Sequence, residues 1–374
     1  MSVVLSGCPA AMGFRMPAEW EPHAATWMVW PHNRDDWDVK TNAAEWCYVE
    51  IIRHLIRYER VVLICQGEAV RERAKARLTR GGVMHSAYDT HTITTNRSWI
   101  RDSGPIFLVS SRGSGRKVAV TDWAFTGWGR YRSYSADNRL PERIANRLKV
   151  PRFIVQASQG DRAENVVLEG GSIDVNGGGD LLATEQCLLG EVQSRNPKLN
   201  RAALEEVLCS YLGVSNVHWL SGGIDGDDTH GHVDDVARFV APNTIVAAVE
   251  TDSTDINYAV LRQNFERLRS IRNTNGNEFD VIPVPMPRPV LFDGLRLPAS
   301  YLNFYIGNNV VLVPTFNDSR DQRALALFED VFPTREIVGI YAGDLILGLG
   351  AIHCLTQQQP VGDCCDDIGL DQDF

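Results

Sequence analysis

The feature that most constrains the fold of this chain is a unit that recurs at nearly constant spacing. Each unit begins with two β-rich segments joined by a short turn of Gly, Asn, Ser or Pro, which predicts a β-hairpin. Four such hairpins are predicted, at 105–123, 172–189, 235–250 and 301–316, so that their starts lie 67, 63 and 66 residues apart. A repeat of this kind has to bury the apolar face of each unit against its neighbours.

A helical segment follows each hairpin. Apolar residues recur in these segments at three- and four-residue spacing, which predicts amphipathic helices. The four segments are 139–149, 199–213, 255–271 and 320–332. An earlier unit, with a β-rich segment at 26–31 and a helix and strand within 45–65, matches the pattern less closely.

About five hairpin-and-helix units predict an α/β fold. Repeats that pack around a common axis form a closed ring, which leaves no exposed sheet edge. The alternative is a two-layer α/β or α+β sandwich in which the spacing is coincidental. Since no Pro-, Gly- or Ser-rich linker separates the units, we expect one domain over residues 1–374, with 1–15 and 361–374 as peripheral tails.

Composition argues against several functional classes. The 374 residues carry a net charge of −10, which is unfavourable for binding nucleic acid or an anionic membrane surface. The eight cysteines are scattered and form no C-x-x-C pair, which argues against a disulfide framework or a structural zinc site. The sequence has no apolar run of about 18–20 residues, and its start, MSVVLSGC, lacks the parts of a signal peptide. We therefore expect a cytoplasmic protein.

Ionisable residues stand at corresponding places in the repeats, within the motifs SWIRDSGP, LEGGS, DDTHGHVDD and GAIHC. They are Asp102, Glu169, His232, Asp234 and Cys354. Each residue alone has a structural explanation, as a turn acid or a loop cap. Because equivalent positions in a ring face the same axis, the set together predicts one shared pocket.

These residue types favour a thiol nucleophile that acts on a cation. A cysteine with a histidine elsewhere in the chain suggests a thiolate and a general acid/base. Carboxylates would repel an oxyanion, but they bind a planar guanidinium through paired hydrogen bonds. Asp102 and Asp234 would each hold one edge of the guanidinium, and its positive charge would favour the thiolate of Cys354.

A second interpretation is a metal-dependent hydrolase. Along an extended segment His230, His232 and Asp234 point to one side, and His-x-His-x-Asp is a ligand set that suits a divalent metal. This hypothesis leaves Cys354 and the glutamines at 357–359 unexplained, and the other histidines form no second ligand motif. The thiol chemistry is therefore favoured.

Six motifs, in order, resemble the agmatine deiminase and bacterial peptidylarginine deiminase family. They are MPAEWEPHAATWMVWP, SWIRDSGP, LEGGS, GDDTHGHVDD, LPASYLNFYI and GAIHCLTQQQP, and they extend from about Met16 to Pro360. The resemblance implies the pentein fold, a five-bladed α/β propeller with the active site on its axis. It also implies hydrolysis of a guanidino group to a ureido group and ammonia, without metal or organic cofactor. The implied enzyme is a homodimer that acts on a small cationic substrate.

The resemblance implies a role for each residue of the site. Cys354 matches the nucleophile, and His232 matches the general acid/base. Asp102 and Asp234 match the pair that binds the guanidinium. Glu169 matches a glutamate that binds the substrate and supports the histidine.

Other residues near these motifs receive more peripheral assignments. Further substrate contacts are implied for Trp30, Trp99, Trp128 and Asp228. His353, beside the nucleophile, has no catalytic counterpart, and in an extended chain its side chain would point away. Cys187 and Cys209 are interpreted as ordinary buried cysteines.

Departures from the family's motifs concern the substrate. Arg97 stands where agmatine-active members have Asp, Arg130 where they have Gly, and His230 where they have Asn, while GLGAIHC replaces GGGNIHC. The two arginines would disfavour the distal ammonium of agmatine, whereas Asp228 matches a carboxylate that contacts it. Agmatine is the expected substrate, with another guanidino compound or peptidyl-arginine as the alternative. The roles of the three departing side chains stay open.

Overall fold

A computed structural model describes residues 2–112, 115–159 and 162–364. The strands are Val4–Leu5 (β1), His23–Val29 (β2), Arg60–Cys65 (β3), Tyr88–Thr92 (β4), Ile106–Ser110 (β5), Lys117–Asp122 (β6), Arg152–Ile154 (β7), Gln156–Gln159 (β8), Arg162–Asn165 (β9), Ile173–Val175 (β10), Asp180–Thr184 (β11), Asn216–Leu220 (β12), Ala237–Ala241 (β13), Thr244–Val249 (β14), Asp280–Pro285 (β15), Val290–Phe292 (β16), Leu295–Leu297 (β17), Tyr305–Ile306 (β18), Val310–Thr315 (β19), Glu336–Tyr341 (β20), Gln357–Pro360 (β21) and Asp363–Cys364 (β22). The α-helices are Arg34–Trp37 (α1), Thr41–Leu55 (α2), Glu68–Arg80 (α3), Ile100–Ser103 (α4), Leu140–Leu148 (α5), Glu185–Leu188 (α6), Arg201–Leu212 (α7), Tyr258–Ser270 (α8) and Asp321–Val331 (α9).

Five of the sheets formed by the described residues share one topology. In each, two antiparallel strands are followed by a third strand that pairs in parallel with the second. The triplets are β21–β2–β3, β5–β6–β7, β10–β11–β12, β13–β14–β15 and β18–β19–β20. A helix connects the two parallel strands of every triplet, as the geometry of a parallel pair requires; these helices are α2, α5, α7, α8 and α9. The predicted α/β fold of five repeated units is confirmed.

The end of the chain completes the first unit. Gln357–Pro360 pairs antiparallel with His23–Val29, so that the first and last parts of the chain share a sheet. Trp27 Nε1 also donates a hydrogen bond to Gln359 Oε1 at 2.8 Å. The glutamine run is therefore the closing strand, and the first unit matched the repeat poorly because its two antiparallel strands come from opposite ends of the sequence.

Local capping residues define the ends of α7, as they do in peptides. The side chain of Asn200 accepts a hydrogen bond from the backbone amide of Ala203 at 2.9 Å. This amide lies in the first turn and has no acceptor within the helix. Gly213 ends the helix in the left-handed conformation, with φ of 66°, where glycine has no steric penalty. The inward face buries Leu204 and Leu208, so this helix covers the sheet that carries part of the site.

The segments at the two chain ends also pair with a sheet. Val4–Leu5 lies parallel to β7, and Phe14 is buried. Asp363–Cys364 lies parallel to β6; residues 365–374 of the predicted C-terminal tail lie outside the described residues. Among the described residues, no helix combines the length and apolar character needed to cross a membrane.

Candidate active site

The five ionisable residues predicted to converge do so in the structure. Each lies in or beside a short helical segment that adjoins a sheet, and these segments contact one another: α4, Gly170–Ser172, Val233–Asp235 and His353–Leu355. All five side chains are buried. Because four segments far apart in sequence each contribute to one point, the site exists only in the closed fold.

Asp102 is held by two hydrogen-bond donors. Trp128 Nε1 donates to Oδ2 at 2.9 Å, and the backbone amide of Gly171 donates to Oδ1 at 3.0 Å. Burial raises the pKa of Asp102 to about 6, and neighbouring carboxylates add to this increase while His232 opposes it. The carboxylate is thus fixed in place, and a cation that binds beside it would stabilise its ionised form.

Asp234 is fixed by His353, whose side chain contacts it directly. His353–Leu355 is a short 3₁₀ turn and not an extended segment, so the expectation that His353 points away is wrong. Its Nδ1 lies 2.7 Å from Asp234 Oδ2, and its Nε2 lies 2.8 Å from Glu19 Oε2. The periodicity argument failed because alternation applies to strands and not to a helical turn.

Asp234 is ionised and keeps one of its oxygens without a hydrogen bond. Burial would raise the pKa of Asp234, but His353, His232 and Arg238 outweigh burial, so the pKa is lowered and the carboxylate is ionised at neutral pH. Oδ1 is buried and has no hydrogen-bond partner among the described residues. A buried, ionised oxygen without a donor is unfavourable, and a bound cation would satisfy it.

His232 lies between two carboxylates that favour its protonated form. Its Nδ1 lies 3.7 Å from Asp102 Oδ1 and its Nε2 lies 3.7 Å from Glu169 Oε2, and both nitrogens lack a hydrogen-bond partner among the described residues. Burial would lower the pKa of His232, but Asp102, Cys187 and Glu169 outweigh burial and raise it well above its usual value. The imidazole is therefore protonated near neutral pH and can act as an acid.

Glu169 is paired with Arg195, which no sequence motif indicated. The guanidinium Nε lies 3.2 Å from both carboxylate oxygens, and Nη2 donates to the carbonyl of Thr229 at 2.6 Å. Both side chains are fully buried. Burial would raise the pKa of Glu169, but Arg195 and His232 outweigh it and lower the pKa, so Glu169 faces His232 as an anion.

Cys354 faces carboxylates on one side and an amide on the other. Asn303 Nδ2 donates to the sulfur at 3.2 Å, and Asp234 Oδ2 lies 3.8 Å from it. Burial raises the pKa of the Cys354 thiol well above its usual value, and Asp234, Asp235 and Asp102 raise it further, against the effect of Asn303. The free thiol is therefore protonated at neutral pH. Asn303 lies in the motif LPASYLNFYI, but nothing in that motif singled it out.

A narrow cavity of about 20 Å³ reaches Cys354 and Asp102. Three of the four predicted substrate contacts line it, namely Trp99, Trp128 and Asp228. Trp30 is not among the lining residues: its fully buried ring packs edge-on against Tyr48, and its Nε1 donates to Glu45 Oε1 at 3.3 Å. Its position at the end of β2 directs the indole toward helix α2, so the structure does not support a substrate contact there.

Arg97 lines the same cavity, whereas Arg130 is exposed. The guanidinium of Arg97 pairs with Asp36 and lies 4.2 Å above the centre of the Tyr131 ring. The hydroxyl of Tyr131 in turn donates to Asp228 Oδ2 at 2.6 Å. Arg97, which departs from the family's motif, is therefore part of the cavity wall, and Asp36 balances the charge of its guanidinium.

The ligand set of the metallohydrolase hypothesis is not formed. His230 and Gly231 have φ angles of 67° and 102°, so the segment is not extended and its alternate side chains do not share a side. Among the described residues, the one set of three potential metal ligands within 4.8 Å of one another is Glu169, Cys187 and His232. Neither His230 nor Asp234 belongs to it.

Comparisons with known proteins identify the family. The sequence profile of the Porphyromonas-type peptidyl-arginine deiminases matches residues 15–360. The agmatine deiminases of Pseudomonas aeruginosa and Medicago truncatula are each 35% identical to the chain; the alignments cover 94% and 95% of it and 97% and 99% of those proteins. The structure of Enterococcus faecalis agmatine deiminase is similar with a TM-score of 0.87 at 29% identity, over 96% of this chain and 99% of that one. The chain therefore belongs to the Porphyromonas-type peptidyl-arginine deiminase family.

Proposed function

We propose that this enzyme of guanidino groups hydrolyses agmatine to N-carbamoylputrescine and ammonia through a covalent amidino-cysteine intermediate. The observation that carries the proposal is the charge around the buried thiol of Cys354, where Asp102 and Asp234 are both fixed and Asp234 keeps one oxygen unpaired. Such a site suits a planar cation with several N–H donors. The names of the full-length relatives support agmatine as that cation.

Substrate binding would activate the nucleophile. A guanidinium between Asp102 and Asp234 offsets the carboxylates that raise the pKa of Cys354, so the thiol loses its proton as the cation binds. The thiolate then attacks the guanidinium carbon and forms a tetrahedral intermediate. The two carboxylates hold the carbon at the sulfur, an effect of positioning that can supply about 7–11 kcal/mol.

His232 would serve both half-reactions. As the imidazolium, it donates its proton to the departing nitrogen, which leaves as ammonia, and an S-amidino (thiouronium) Cys354 remains. The neutral imidazole then takes a proton from water, whose oxygen attacks the amidino carbon. Collapse of this second tetrahedral intermediate breaks the C–S bond and releases the ureido product, a proton and the thiolate.

The test is turnover of a panel of guanidino compounds by the purified protein. We expect agmatine to give stoichiometric ammonia and N-carbamoylputrescine, with no loss of rate in the presence of a chelator. A rate that disappeared on chelation and returned with zinc would favour a metallohydrolase. Stabilisation by agmatine without ammonia would indicate a binding protein, and preferential turnover of guanidinobutyrate or peptidyl-arginine would reassign the substrate.

The raised pKa of Cys354 predicts different pH profiles for kcat/KM and kcat. The pH profile of kcat/KM reports the free enzyme. In the free enzyme the pKa of Cys354 lies above its usual value, so the thiolate fraction grows as the pH rises toward that pKa. We therefore expect kcat/KM to keep increasing through about pH 9, while kcat levels off at lower pH because the bound cation lowers the pKa of the thiol. Profiles that level off together would contradict activation by the substrate.

Neutralising Asp36 is expected to shift substrate preference. Asp36→Asn leaves the charge of Arg97 uncompensated at the cavity wall, which disfavours a distal ammonium and favours a distal carboxylate. Unit charges at 4 Å interact by about 1 kcal/mol in water and more at lower dielectric. The ratio of kcat/KM for agmatine to that for guanidinobutyrate should therefore fall by about fivefold or more.

A matched control for this substitution is available on the surface. Asp89 pairs with Arg60 in an exposed position, so Asp89→Asn makes the same change of charge away from the cavity. An equal shift in both variants, or none in Asp36→Asn, would show that the wall at Arg97 does not contact the distal group of the substrate.

We further propose, from the resemblance to the family, that the enzyme acts in the cytoplasm as a homodimer. Sedimentation velocity at assay concentrations tests the oligomeric state. A monomer that is fully active would contradict the dimer without affecting the proposed reaction.

A further inference from the structure

Cys187 lies beside the site and has no part in the proposed reaction. It belongs to the short helix Glu185–Leu188, where the hydroxyl of Thr184 accepts a hydrogen bond from its amide at 3.1 Å. The side chain is fully buried, as expected from the sequence. However, its sulfur, a carboxylate oxygen of Glu169 and a ring nitrogen of His232 all lie within 4.8 Å of one another, so it is not an ordinary core cysteine.

The separation of His232 and Glu169 is that of neighbouring ligands around an ion. Nε2 of His232 lies 3.7 Å from Glu169 Oε2, which is too long for a hydrogen bond. Zinc bonds of about 2.0–2.3 Å place neighbouring ligands of a tetrahedron about 3.3–3.7 Å apart. The imidazole is 1% exposed, and neither of its nitrogens has a hydrogen-bond partner among the described residues, so a nitrogen can bind a metal that displaces its proton.

The donor types and the local charge select the kind of ion. A thiolate and an imidazole suit zinc and similar soft divalent cations better than magnesium or calcium. The carboxylates of Asp102 and Asp234 interact electrostatically with His232, and this negative charge favours a bound cation. Arg195 opposes it, but it occupies only part of the acceptor capacity of Glu169, which retains further lone pairs.

We propose that Glu169, Cys187 and His232 form an inhibitory site for Zn²⁺ or a similar soft divalent cation, with water as the fourth ligand. The bound ion would be coordinated by the ring nitrogen of His232 that has to carry the proton. Turnover would therefore stop until a chelator removes the metal. Metal binding by these side chains does not depend on the reaction; its inhibitory effect rests on the proposed function.

Binding is tested with Co²⁺, whose thiolate complexes absorb strongly, in the Cys354→Ser variant. This variant keeps the three proposed ligands and removes the competing thiol at the cavity. We expect one Co²⁺ per chain with a thiolate-to-cobalt band. The band should disappear in Cys354→Ser/Cys187→Ser and persist in Cys354→Ser/Cys209→Ser, whose second change lies on α7. A band that survives loss of Cys187, or the absence of a band in Cys354→Ser, overturns the proposal.

Inhibition is tested with Zn²⁺ on the active enzyme and on Cys187→Ser. The apparent inhibition constant should rise by about 100-fold or more, since even the loss of an outer-sphere partner of a ligand costs about 10- to 100-fold. An unchanged constant would overturn inhibition through this site. Circular dichroism checks the fold of the variant, and Cys354→Ser/Glu169→Gln provides a second test, because it keeps the thiol yet should weaken Co²⁺ binding. If agmatine is not turned over, the Co²⁺ experiment still decides whether these three residues bind a metal, because it does not measure turnover.

Discussion

Cys354→Ser is expected to abolish turnover, lowering kcat by at least about 10⁴-fold, a loss in the range seen when a covalent nucleophile is removed. The serine hydroxyl is a weak nucleophile unless a base takes its proton. Here the nearest groups are the carboxylates that already raise the pKa of the thiol and an amide donor from Asn303. A bound guanidinium can shift a thiol to its ionised form, but an aliphatic hydroxyl is too weak an acid for the same shift to suffice.

The fold of this variant should be unaffected, because the change is nearly isosteric and Asn303 can still donate to the oxygen. Acid-quenched mass spectrometry of the native enzyme should show an amidino adduct on the peptide that contains Cys354. Cys209→Ser, a half-buried position on α7, is the matched control and should keep full turnover. An adduct on another cysteine, or activity in Cys354→Ser equal to that of the native enzyme, would refute the assignment of the nucleophile.

Gly171→Ala is expected to reduce kcat/KM by about 100-fold or more, the loss that follows a displacement of reacting groups by about 1 Å. A Cβ at this position would lie 2.6 Å from His232 Nδ1, 2.8 Å from Asp102 Oδ1 and 3.0 Å from Asp234 Oδ2. Three functional atoms thus surround one glycine. Since these distances are shorter than normal contacts, at least one of the three side chains has to move, or the backbone amide has to release Asp102.

The glycine is required here by space and not by backbone conformation, because its φ does not lie in the left-handed region. The loss should therefore appear in catalysis more than in the free energy of unfolding. Gly178→Ala is the control, since the nearest atom to its Cβ, on Asn176, would be at an ordinary 3.4 Å. If Gly171→Ala retained native kcat/KM, the three side chains would not act as a fixed group.

A buried network keeps Asp234 in place behind the site. Glu19 accepts from His353 and Arg101 and pairs with Arg238 at 3.0 Å. Arg238, His353 and Arg101 outweigh burial and lower the pKa of Glu19 well below its usual value. Since the network spans the first, second and fourth units and the end of the chain, orientation of a substrate-binding carboxylate depends on closure of the whole fold.

The sequence by itself determined the architecture and the membership of the candidate site. Hairpins, amphipathic helices and their period are local signals, and the four later helices begin and end within three residues of their predicted bounds. The convergence of Asp102, Glu169, His232, Asp234 and Cys354 followed from their equivalent places in the repeat together with the motifs of the family. The chemical roles of these residues stay predictions.

Only the tertiary structure decided which side chains surround these five. His353 contacts Asp234 because its segment is a helical turn, and Trp30, just after its strand, packs against Tyr48 of α2. Arg195 and Asn303 lie 26 and 51 residues from their partners Glu169 and Cys354, Cys187 comes from a different segment from Glu169 and His232, and the glutamine run proved to be a closing strand. None of these facts has a local signal: the direction of a side chain in an irregular turn is set by contacts with distant parts of the chain, which exist only after the units have packed together.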